Sequence, residues 1–228
     1  MFEWLSNSYY WSLILSGLAT TVEITLFGVC IGLILGTLLA IGDIYGGKAV
    51  KGVIAVYVEF FRGSPLFIQI FIAVYAVPAL LSNLFNMHVD HTLLAFLVFG
   101  LNSGGYQKGY VKGAMQTILD DQMAAGMSVG MSRWQTLRYV ILPQAYRIVI
   151  PSWTNEFCSL TKSSAVLSVV GISDLTSAGF TIRFQTFQTL ATWLVIGLIY
   201  LAWILAFAKI MDIIYEKKKI PGVELVMQ

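Results

Sequence analysis

Charged residues are scarce in this 228-residue chain, at 11% of the sequence against roughly 25% in typical soluble domains. This composition excludes an ordinary water-soluble enzyme. The two cysteines, Cys30 and Cys158, both lie inside apolar segments, so we expect small buried side chains rather than a disulfide or a metal site. The net charge of +2 is too small to indicate a nucleic-acid partner.

Histidine is equally rare, and its placement excludes two kinds of catalysis. His88 and His91 are the two histidines of the chain, and both lie in a predicted outer loop, Ser82–Thr92. They lack the HExxH spacing of a zinc protease, and no predicted span contains a histidine that would activate a serine. We therefore expect neither metal-dependent nor nucleophilic catalysis, and no bound cofactor.

A phosphate-binding loop is also missing, although one segment has its spacing. Gly42–Lys48 reads GDIYGGK, but position 49 is Ala instead of the Ser or Thr that would bind Mg²⁺. The motif should connect a strand to a helix, whereas here it follows an apolar helical segment. We interpret it as a turn, so any ATP hydrolysis must occur on another chain.

The sequence is instead rich in long apolar segments that predict helices. Hydrophobic residues make up 57% of the chain, and the mean hydropathy is +0.77. We predict an all-α polytopic membrane protein, one domain over residues 1–228, with about five spans of the length that a ~30 Å hydrocarbon core requires. The predicted spans lie at Ser16–Ile41, Leu66–Leu81 (after a shorter helix, Val53–Phe61), from Leu93 onward, Ile148–Val170 and Leu190–Ala208.

The basic residues predict the orientation of the chain. Met1–Tyr10 carries no Lys or Arg, unlike a cleavable signal, so we expect a retained N-terminus on the outside and the C-terminus inside. Cytoplasmic loops are rich in Lys and Arg, and the outer side keeps only Arg183. The inner side collects Lys48, Lys51, Lys112, Arg133, Arg138, Arg147, Lys209 and the tail Lys217–Lys219 that precedes Pro221.

A stripe of small residues marks one face of the first span. Gly28, Gly32, Gly36 and Ala40 recur every four residues, which allows another helix to approach closely. We favour packing within the subunit, and a seam between two subunits remains the alternative.

Charged residues inside the predicted spans need a partner or a watery cavity, because a charge in hydrocarbon is costly. Glu59 and Arg62 are spaced to pair on one helix face, whereas Glu156 and Lys162 are expected to face other helices. These charges either pair for packing or form a polar pocket for a zwitterionic solute. The break predicted at Arg62–Pro65 favours a transport path. The charged residues are Glu23, Glu59, Arg62, Lys108, Glu156 and Lys162.

A polar loop of about 114–143 separates the third and fourth spans. Its small residues in Gln122–Gly130 (QMAAGMSVG) predict a short helix that Gly130 ends, and Pro143 is expected to open the next element. A compact helix held outside the bilayer is suited to a groove on another protein.

This loop resembles the EAA loop of ABC importer permeases, whose pattern is E-A-A-x3-G-x9-(I/V)-x-L-P. Gly130 and Val140–Pro143 (VILP) keep the spacing. Glu59–Gln69 (EFFRGSPLFIQ) resembles the EFFRGTPLLVQ signature of the polar amino-acid branch, and Met131–Thr136 and Gln144–Arg147 are similar to that branch as well.

The resemblance implies a type I importer permease fold in the cytoplasmic membrane of a prokaryote. It implies pairing with a second permease subunit, identical or not, above two ABC ATPase subunits that receive the loop, and delivery of the solute by an extracytoplasmic amino-acid-binding protein. The residues assigned to ATPase coupling are Ala124, Ala125, Gly126, Gly130, Arg133, Trp134 and Pro143. The residues assigned to solute binding are Arg62, Ser64, Gln69, Lys108, Glu156 and Lys162.

The chain departs from the family patterns at several acids. Ala124 replaces the signature Glu, Gly109 replaces a Glu of the third span, and Ser163 replaces an Asp of the fourth, whereas Lys108 and Lys162 are present. These changes favour an anionic side chain, so glutamate or aspartate is the expected solute, followed by glutamine. A stand-alone secondary transporter or channel that uses the same charges, and a scaffold without transport, are the alternatives.

Overall fold

The computed structural model describes residues 3–220, and the prediction for Pro221 lies outside them. Within that range the chain is entirely helical and turn structure, without a strand, which confirms the all-α class. In order, the elements are a 3-10 turn (Glu3–Ser6), α1 (Ser8–Tyr45), α2 (Lys48–Gly63), α3 (Leu66–Phe71), a π-helical segment (Ile72–Ala76), α4 (Val77–Phe85), α5 (His91–Gln116), α6 (Leu119–Ser128), α7 (Arg133–Thr136), a second π-helical segment (Leu137–Ile141), α8 (Leu142–Ile148), α9 (Ile150–Ser163), a 3-10 segment (Ser164–Val170), α10 (Leu175–Thr186) and α11 (Thr189–Lys218).

Three helices in the described part of the chain are long and apolar enough to cross a membrane: α1, the run Leu66–Phe85, and α11. A fourth span results if Ile150–Val170 and Leu175–Thr186, which are bent by 51° at their junction, count as one. The predicted third span is α5, a helix of 26 residues whose polar residues lower its hydropathy. The molecule is therefore a polytopic helical membrane protein in which α5 is a long, partly polar helix among apolar ones.

The glycine stripe of α1 packs against α5 within the subunit, as favoured from the sequence. A Cβ atom at Gly32 would lie 2.6 Å from Ser103 Oγ, and one at Gly36 would lie 2.8 Å from Gln107 Cβ. Such distances leave no room for a side chain, so the stripe allows the two long helices to touch along their length.

The break predicted in the second apolar segment is present. Helix α2 ends at Gly63, Ser64 and Pro65 adopt extended backbone, and α3 begins at Leu66. Proline has no N–H to continue the helix, and the residue before it is pushed out of the helical region. The GDIYGGK segment is likewise the predicted turn, because it forms the end of α1, a two-glycine link and the first residue of α2.

Two other prolines, Pro78 and Pro143, occupy the first turns of α4 and α8. Pro143 therefore lies at the start of an element, as predicted, but that element continues from the helix before it without a gap. In both places a π-helical segment comes immediately before the helix that carries the proline. A proline ring collides with the carbonyl four residues earlier, and we attribute the wider π turn to that collision.

Helix α10 was not expected from the sequence. It follows Gly171, whose φ of 81° turns the chain, and begins at a cap in which Asp174 accepts a hydrogen bond from the Ser177 N–H at 2.8 Å. The turn packs tightly on α1, since a Cβ atom at Gly17 would lie 2.5 Å from the carbonyl oxygen of Asp174. The segment therefore folds back against the first span.

Candidate functional site

A polar cavity of about 520 Å³ lies where the break between α2 and α3 meets α5 and α9. Its volume is within the range of small-molecule sites. The lining mixes one acid and one base with amides, hydroxyls and a few apolar groups. The lining residues are Arg62, Gly63, Ser64, Pro65, Leu66, Asn102, Tyr106, Tyr110, Asn155, Glu156, Ser159, Leu160 and Ser163.

Two amide side chains hold the helix break in place. Gln69 Nε2 donates to Phe61 O at 3.0 Å, to Ser64 O at 3.0 Å and to Ser64 Oγ at 2.9 Å. Asn102 Nδ2 donates to Phe61 O at 2.9 Å and to Gln69 Oε1 at 3.0 Å. The carbonyls freed by the break are thus satisfied within the protein, as irregular backbone at membrane depth requires.

Glu156 is the acid of the cavity, and its side chain is only 5% exposed. Oε1 accepts a hydrogen bond from Ser103 Oγ at 2.8 Å, and Oε2 accepts a long one from the Tyr110 hydroxyl at 3.4 Å. Both donors belong to α5, which confirms the expectation that Glu156 faces another helix. The hydroxyls orient the carboxyl group and leave it accessible from the cavity.

Arg62 is the base of the cavity and ends α2 at the break. Its guanidinium carbon lies 5.1 Å from the centre of the Tyr106 ring, in a cation–π arrangement. The expected pair with Glu59 is absent among the ion pairs of residues 3–220. The ring holds the arginine at the mouth of the break instead, where its charge remains available.

The solute-binding residues assigned from the sequence separate into three groups. Arg62, Ser64 and Glu156 line the cavity together, and Gln69 lies directly behind it. Lys108 turns away toward α1, where its Nζ lies 2.6 Å from Asp43 Oδ2. Lys162 is exposed on α9 and is not part of the lining.

Asp43 also accepts a hydrogen bond from Lys112 at 2.7 Å, so one carboxylate joins two lysines of α5 to the end of α1. From the sequence, Lys108 is assigned to solute binding, and nothing near it in the chain indicates Asp43 as its partner. The contact between α1 and α5 brings them together.

Sequence reasoning missed most of the neutral lining. Asn102, Tyr106 and Tyr110 follow each other at every fourth residue of α5, and Asn155, Ser159 and Ser163 do the same on α9. Positions four apart share one helix face. The polar periodicity inside otherwise apolar segments was the signal that would have found these residues.

The loop of about 114–143 forms a compact helical hairpin outside the spans, which we call the coupling hairpin (α6, its turn and α7). Helix α6 ends at Ser128, and Gly130 turns the chain with a φ of 84°, as predicted. A capping box at Ser132 and Gln135 then starts α7. The short-range bonds of turn and cap define the shape of the hairpin.

The coupling hairpin exposes large apolar side chains where no span surrounds them. Val129 is 76% exposed and Trp134 is 60% exposed, and Ala124, Ala125 and Arg133 are exposed as well. An apolar patch of this kind marks an interaction surface.

Gly126 is the buried exception, because a Cβ atom there would lie 2.5 Å from Thr136 Oγ1 and Cγ2. The glycine that replaces the second Ala of the EAA pattern therefore lets α6 and the following helix touch. Pro143 lies beyond the hairpin in α8.

Comparison with known proteins shows similarity to membrane components of transport systems. Residues 28–219 match the family described as binding-protein-dependent transport system inner membrane component. The glutamine transport system permease protein GlnP of Escherichia coli (strain K12) is 30% identical over 96% of this chain and 99% of its own length. The arginine transport system permease protein ArtQ of Bacillus subtilis (strain 168) is 30% identical over 90% of this chain and 92% of its own length.

Solved structures agree in fold. An amino acid ABC transporter solved with histidines is 29% identical and superposes with a TM-score of 0.81 over 95% of this chain and 99% of that one. The MetNI methionine ABC transporter in an inward-facing conformation gives a TM-score of 0.74 at 19% identity, over 94% of this chain and 99% of that one, which shows the fold alone. The chain therefore belongs to the family of inner membrane components of binding-protein-dependent transport systems and is a permease subunit of an amino-acid ABC importer.

Proposed function

We propose that this permease transports a polar L-amino acid with an uncharged side chain, glutamine first, through the cavity at the α2–α3 break. The observation that carries the proposal is the composition of the lining. Within the described residues, Arg62 and Glu156 are the charged groups of that lining, and the other polar groups are amides and hydroxyls.

An amino acid presents one carboxylate and one ammonium group regardless of its side chain. A guanidinium matches the α-carboxylate in a paired, fork-like geometry, and the carboxyl group of Glu156 matches the α-ammonium. Each charge of the cavity then has a partner on the backbone of the solute. The side chain of the solute meets Asn102, Asn155 and Ser159, which suit an amide better than a charge.

Glutamate or aspartate, expected from the sequence, becomes the second candidate. That expectation depended on Lys108 and Lys162 facing the solute. Lys108 pairs with Asp43, and Lys162 lies outside the lining. Among the described lining residues, therefore, no second base is present to receive an anionic side chain. The glutamine permease among the relatives supports the same ordering.

The remaining assignments complete the proposal. The whole chain, residues 1–228, acts as one permease domain with its N-terminus outside. Two such subunits, identical or different, lie in the prokaryotic cytoplasmic membrane above two ATPase subunits. The coupling hairpin docks in a groove of the ATPase, with Ala124, Ala125, Gly126, Gly130, Arg133 and Trp134 in or next to the contact and Pro143 at the start of the helix that transmits it. An extracytoplasmic binding protein delivers the solute.

Uptake by proteoliposomes tests the proposal. The permease is reconstituted into vesicles with its ATPase and its binding protein. ATP is supplied on the side of the membrane that carries the ATPase. Labelled glutamine, glutamate and arginine are then offered in turn. Glutamine uptake that requires ATP supports the proposal. Uptake driven by an ion gradient without the ATPase would establish the secondary-transporter alternative, and preference for glutamate would establish the second candidate.

A matched pair of variants connects the result to the cavity. Arg62→Gln removes the base of the lining, whereas Lys162→Gln removes an exposed base of α9 that lies outside the lining. We expect the first to reduce substrate-stimulated ATP hydrolysis strongly and the second to leave it unchanged. Equal effects of the two variants would show that the cavity is not part of the transport path.

A further inference from the structure

A second cavity, of about 690 Å³, lies at the end of α11, between that helix and the region where α8 meets α9. It shares none of the residues that line the first cavity. Its lining residues are Pro143, Tyr146, Arg147, Ile150, Trp153, Met211, Ile214, Lys217, Lys218 and Lys219. We call this site the basic groove.

The charged part of the basic groove is entirely cationic among its described lining residues. The ion pairs and hydrogen bonds of residues 3–220 include none for the charged groups of Arg147, Lys217 or Lys218. Lys219 pairs with Glu216 on the same helix at 2.6 Å. Three cations that converge without an acid in the lining create a site for an anion.

The other part of the groove is apolar. Ile150, Trp153, Met211 and Ile214 form its wall, and Trp153 is fixed because its Nε1 donates to Gln107 Oε1 at 2.7 Å. Aromatic side chains such as Tyr146 and Trp153 are enriched where hydrocarbon meets head groups. A ligand that fits the groove therefore has an anionic end and an apolar end.

The groove opens toward the lipid-facing side of the molecule. Helix α11 leaves nearly all of its apolar window unburied within the chain, and Ile210 and Ile213, next to the groove, are both exposed. Its 30 residues extend about 45 Å, longer than the ~30 Å hydrocarbon core. The lysines at its end thus reach the head-group level.

The groove lies at the same end of the molecule as the coupling hairpin. Ile220, just after the lysines, packs on the cluster that includes Leu137 and Ile141 at the root of the hairpin. With the orientation proposed above, this is the cytoplasmic leaflet, where basic pockets between spans bind anionic head groups.

We propose that the basic groove binds an anionic phospholipid, with the phosphate on Arg147, Lys217 and Lys218 and the upper part of an acyl chain along Met211 and Ile214. Free phosphate would use the cations but not the apolar wall. A zwitterionic lipid would use the apolar wall, but its head group carries no net negative charge to balance the three cations. The combination of both halves in one cavity favours the anionic lipid.

Lipid counting on the purified full-length chain tests the proposal. The protein is titrated in detergent with phosphatidylglycerol or phosphatidylcholine of the same acyl chains, and bound lipids are counted by native mass spectrometry. We expect phosphatidylglycerol to bind at least about tenfold more tightly, since nearby bases attract an anionic head group. Equal affinity for the two lipids would overturn the proposal.

Variants assign the binding to the groove. The triple variant R147Q/K217Q/K218Q should bind one phosphatidylglycerol fewer per chain, whereas the matched control K48Q/K51Q/R138Q, with the same change in charge at exposed positions outside the groove, should bind as many as the unmodified chain. Size-exclusion profiles and thermal midpoints establish that both are folded. Equal lipid counts for the triple variant and the unmodified chain would place the lipid elsewhere.

Ile214→Trp distinguishes a lipid from a free anion and from a protein partner. It fills the apolar wall and should abolish lipid binding without changing the charge. Displacement of the probe by millimolar inorganic phosphate, with no effect of Ile214→Trp, would indicate a simple anion site. Loss of self-association, instead of loss of lipid, in Ile214→Trp would show that a second copy of the chain occupies the groove. Either result contradicts the proposal.

Discussion

The cavity and the coupling hairpin each differ in polarity from the part of the molecule around them. In the cavity, a carboxyl group that is 5% exposed lies inside an apolar helical body, whereas the hairpin presents a tryptophan that is 60% exposed outside the spans. A buried carboxyl needs partners, and an exposed apolar patch indicates a surface that becomes covered. The two regions are therefore suited to different partners, and we propose a solute for the first and a protein for the second.

The two regions are also constructed differently. The cavity depends on side chains from helices that are far apart in the sequence, such as Ser103 with Glu156 and Asn102 with Gln69. The coupling hairpin depends on neighbours, namely the turn at Gly130 and the cap between Ser132 and Gln135. Long-range contacts set the shape of the cavity, and local contacts set the shape of the coupling hairpin, so variants of the two regions should fail in different assays.

The largest expected effect concerns Glu156→Gln. The amide keeps the shape and can still accept from Ser103, but it loses the charge that would pair with the ammonium group of the solute. We expect substrate uptake to fall about 100-fold, the size of losing one member of a buried charge pair, with ATPase docking unchanged. Uptake assays and co-purification with the ATPase are the measurements.

Glu23→Gln is the control for that variant, because Glu23 is an exposed acid of α1 outside the lining. It should leave uptake unchanged. Weaker ATPase docking in Glu156→Gln would contradict the separation of the two regions.

Trp134→Ala should show the opposite pattern. Removal of an exposed aromatic anchor from the coupling hairpin should weaken ATPase binding about 30-fold, corresponding to about 2 kcal/mol for an interface hot spot. Insertion and solute binding should persist, because Trp134 does not line the cavity. The affinity for the ATPase in detergent is the measurement, and Tyr139→Ala, another exposed aromatic nearby, is the comparison variant. An unchanged affinity would remove Trp134 from the docking surface.

Gly126→Ala tests the internal packing of the coupling hairpin. The new Cβ would lie 2.5 Å from Thr136, and such overpacking costs about 1–3 kcal/mol, so the hairpin should loosen and dock about tenfold more weakly. Thr136→Ala combined with Gly126→Ala makes room for the methyl group and should restore much of the affinity. The coupling energy of a double-mutant cycle measures this contact, and strictly additive effects would show that the two residues do not interact in solution.

The smallest effect belongs to Asp90, which is part of neither region. Its carboxylate caps α5 by accepting a hydrogen bond from the Leu93 N–H at 2.9 Å, and the N–H groups of Leu93 and Thr92 lower the pKa of Asp90 below its ordinary value of 3.8. Since the folded-state pKa is depressed, the stabilisation is present above about pH 4, the ordinary range of the carboxyl group. It is lost as the pH falls through the folded-state pKa.

Asp90→Asn should therefore lower the thermal midpoint slightly at neutral pH, and the difference from the unmodified chain should shrink in acid. Uptake and docking should both stay unchanged, which provides a baseline for the other variants. A difference in midpoint that grows as the pH falls would contradict the assignment of the cap.

Local features of the fold were predicted well from the sequence. The helix break at Pro65, the turn at Gly42–Lys48 and the end of α6 near Gly130 all appear where expected. Each depends on a property of a short segment, such as the missing N–H of proline or the freedom of glycine at positive φ. The seven residues assigned to ATPase coupling lie in or next to this locally defined hairpin, and their role in docking stays a prediction.

Features that require two distant segments were predicted less well. Nothing near Lys108 in the sequence indicates Asp43, and nothing near Asn155 indicates Asn102. Helix α10 was missed because its start depends on Gly171 and on the cap at Asp174, which packs against Gly17. Of the six residues assigned to solute binding, three line the cavity, Gln69 supports it and two lysines face elsewhere. Their role in solute binding stays a prediction.

By itself, the sequence determined that this chain is a helical membrane protein, where its second segment breaks and which loop forms a compact hairpin. These properties follow from apolar length, backbone restriction and capping, which act over one or two turns of helix. The tertiary structure alone decided which charges remain available to a solute. That outcome depends on which helices touch. Lys108 pairs with Asp43, which lies far away in the sequence, only when α1 and α5 have packed together.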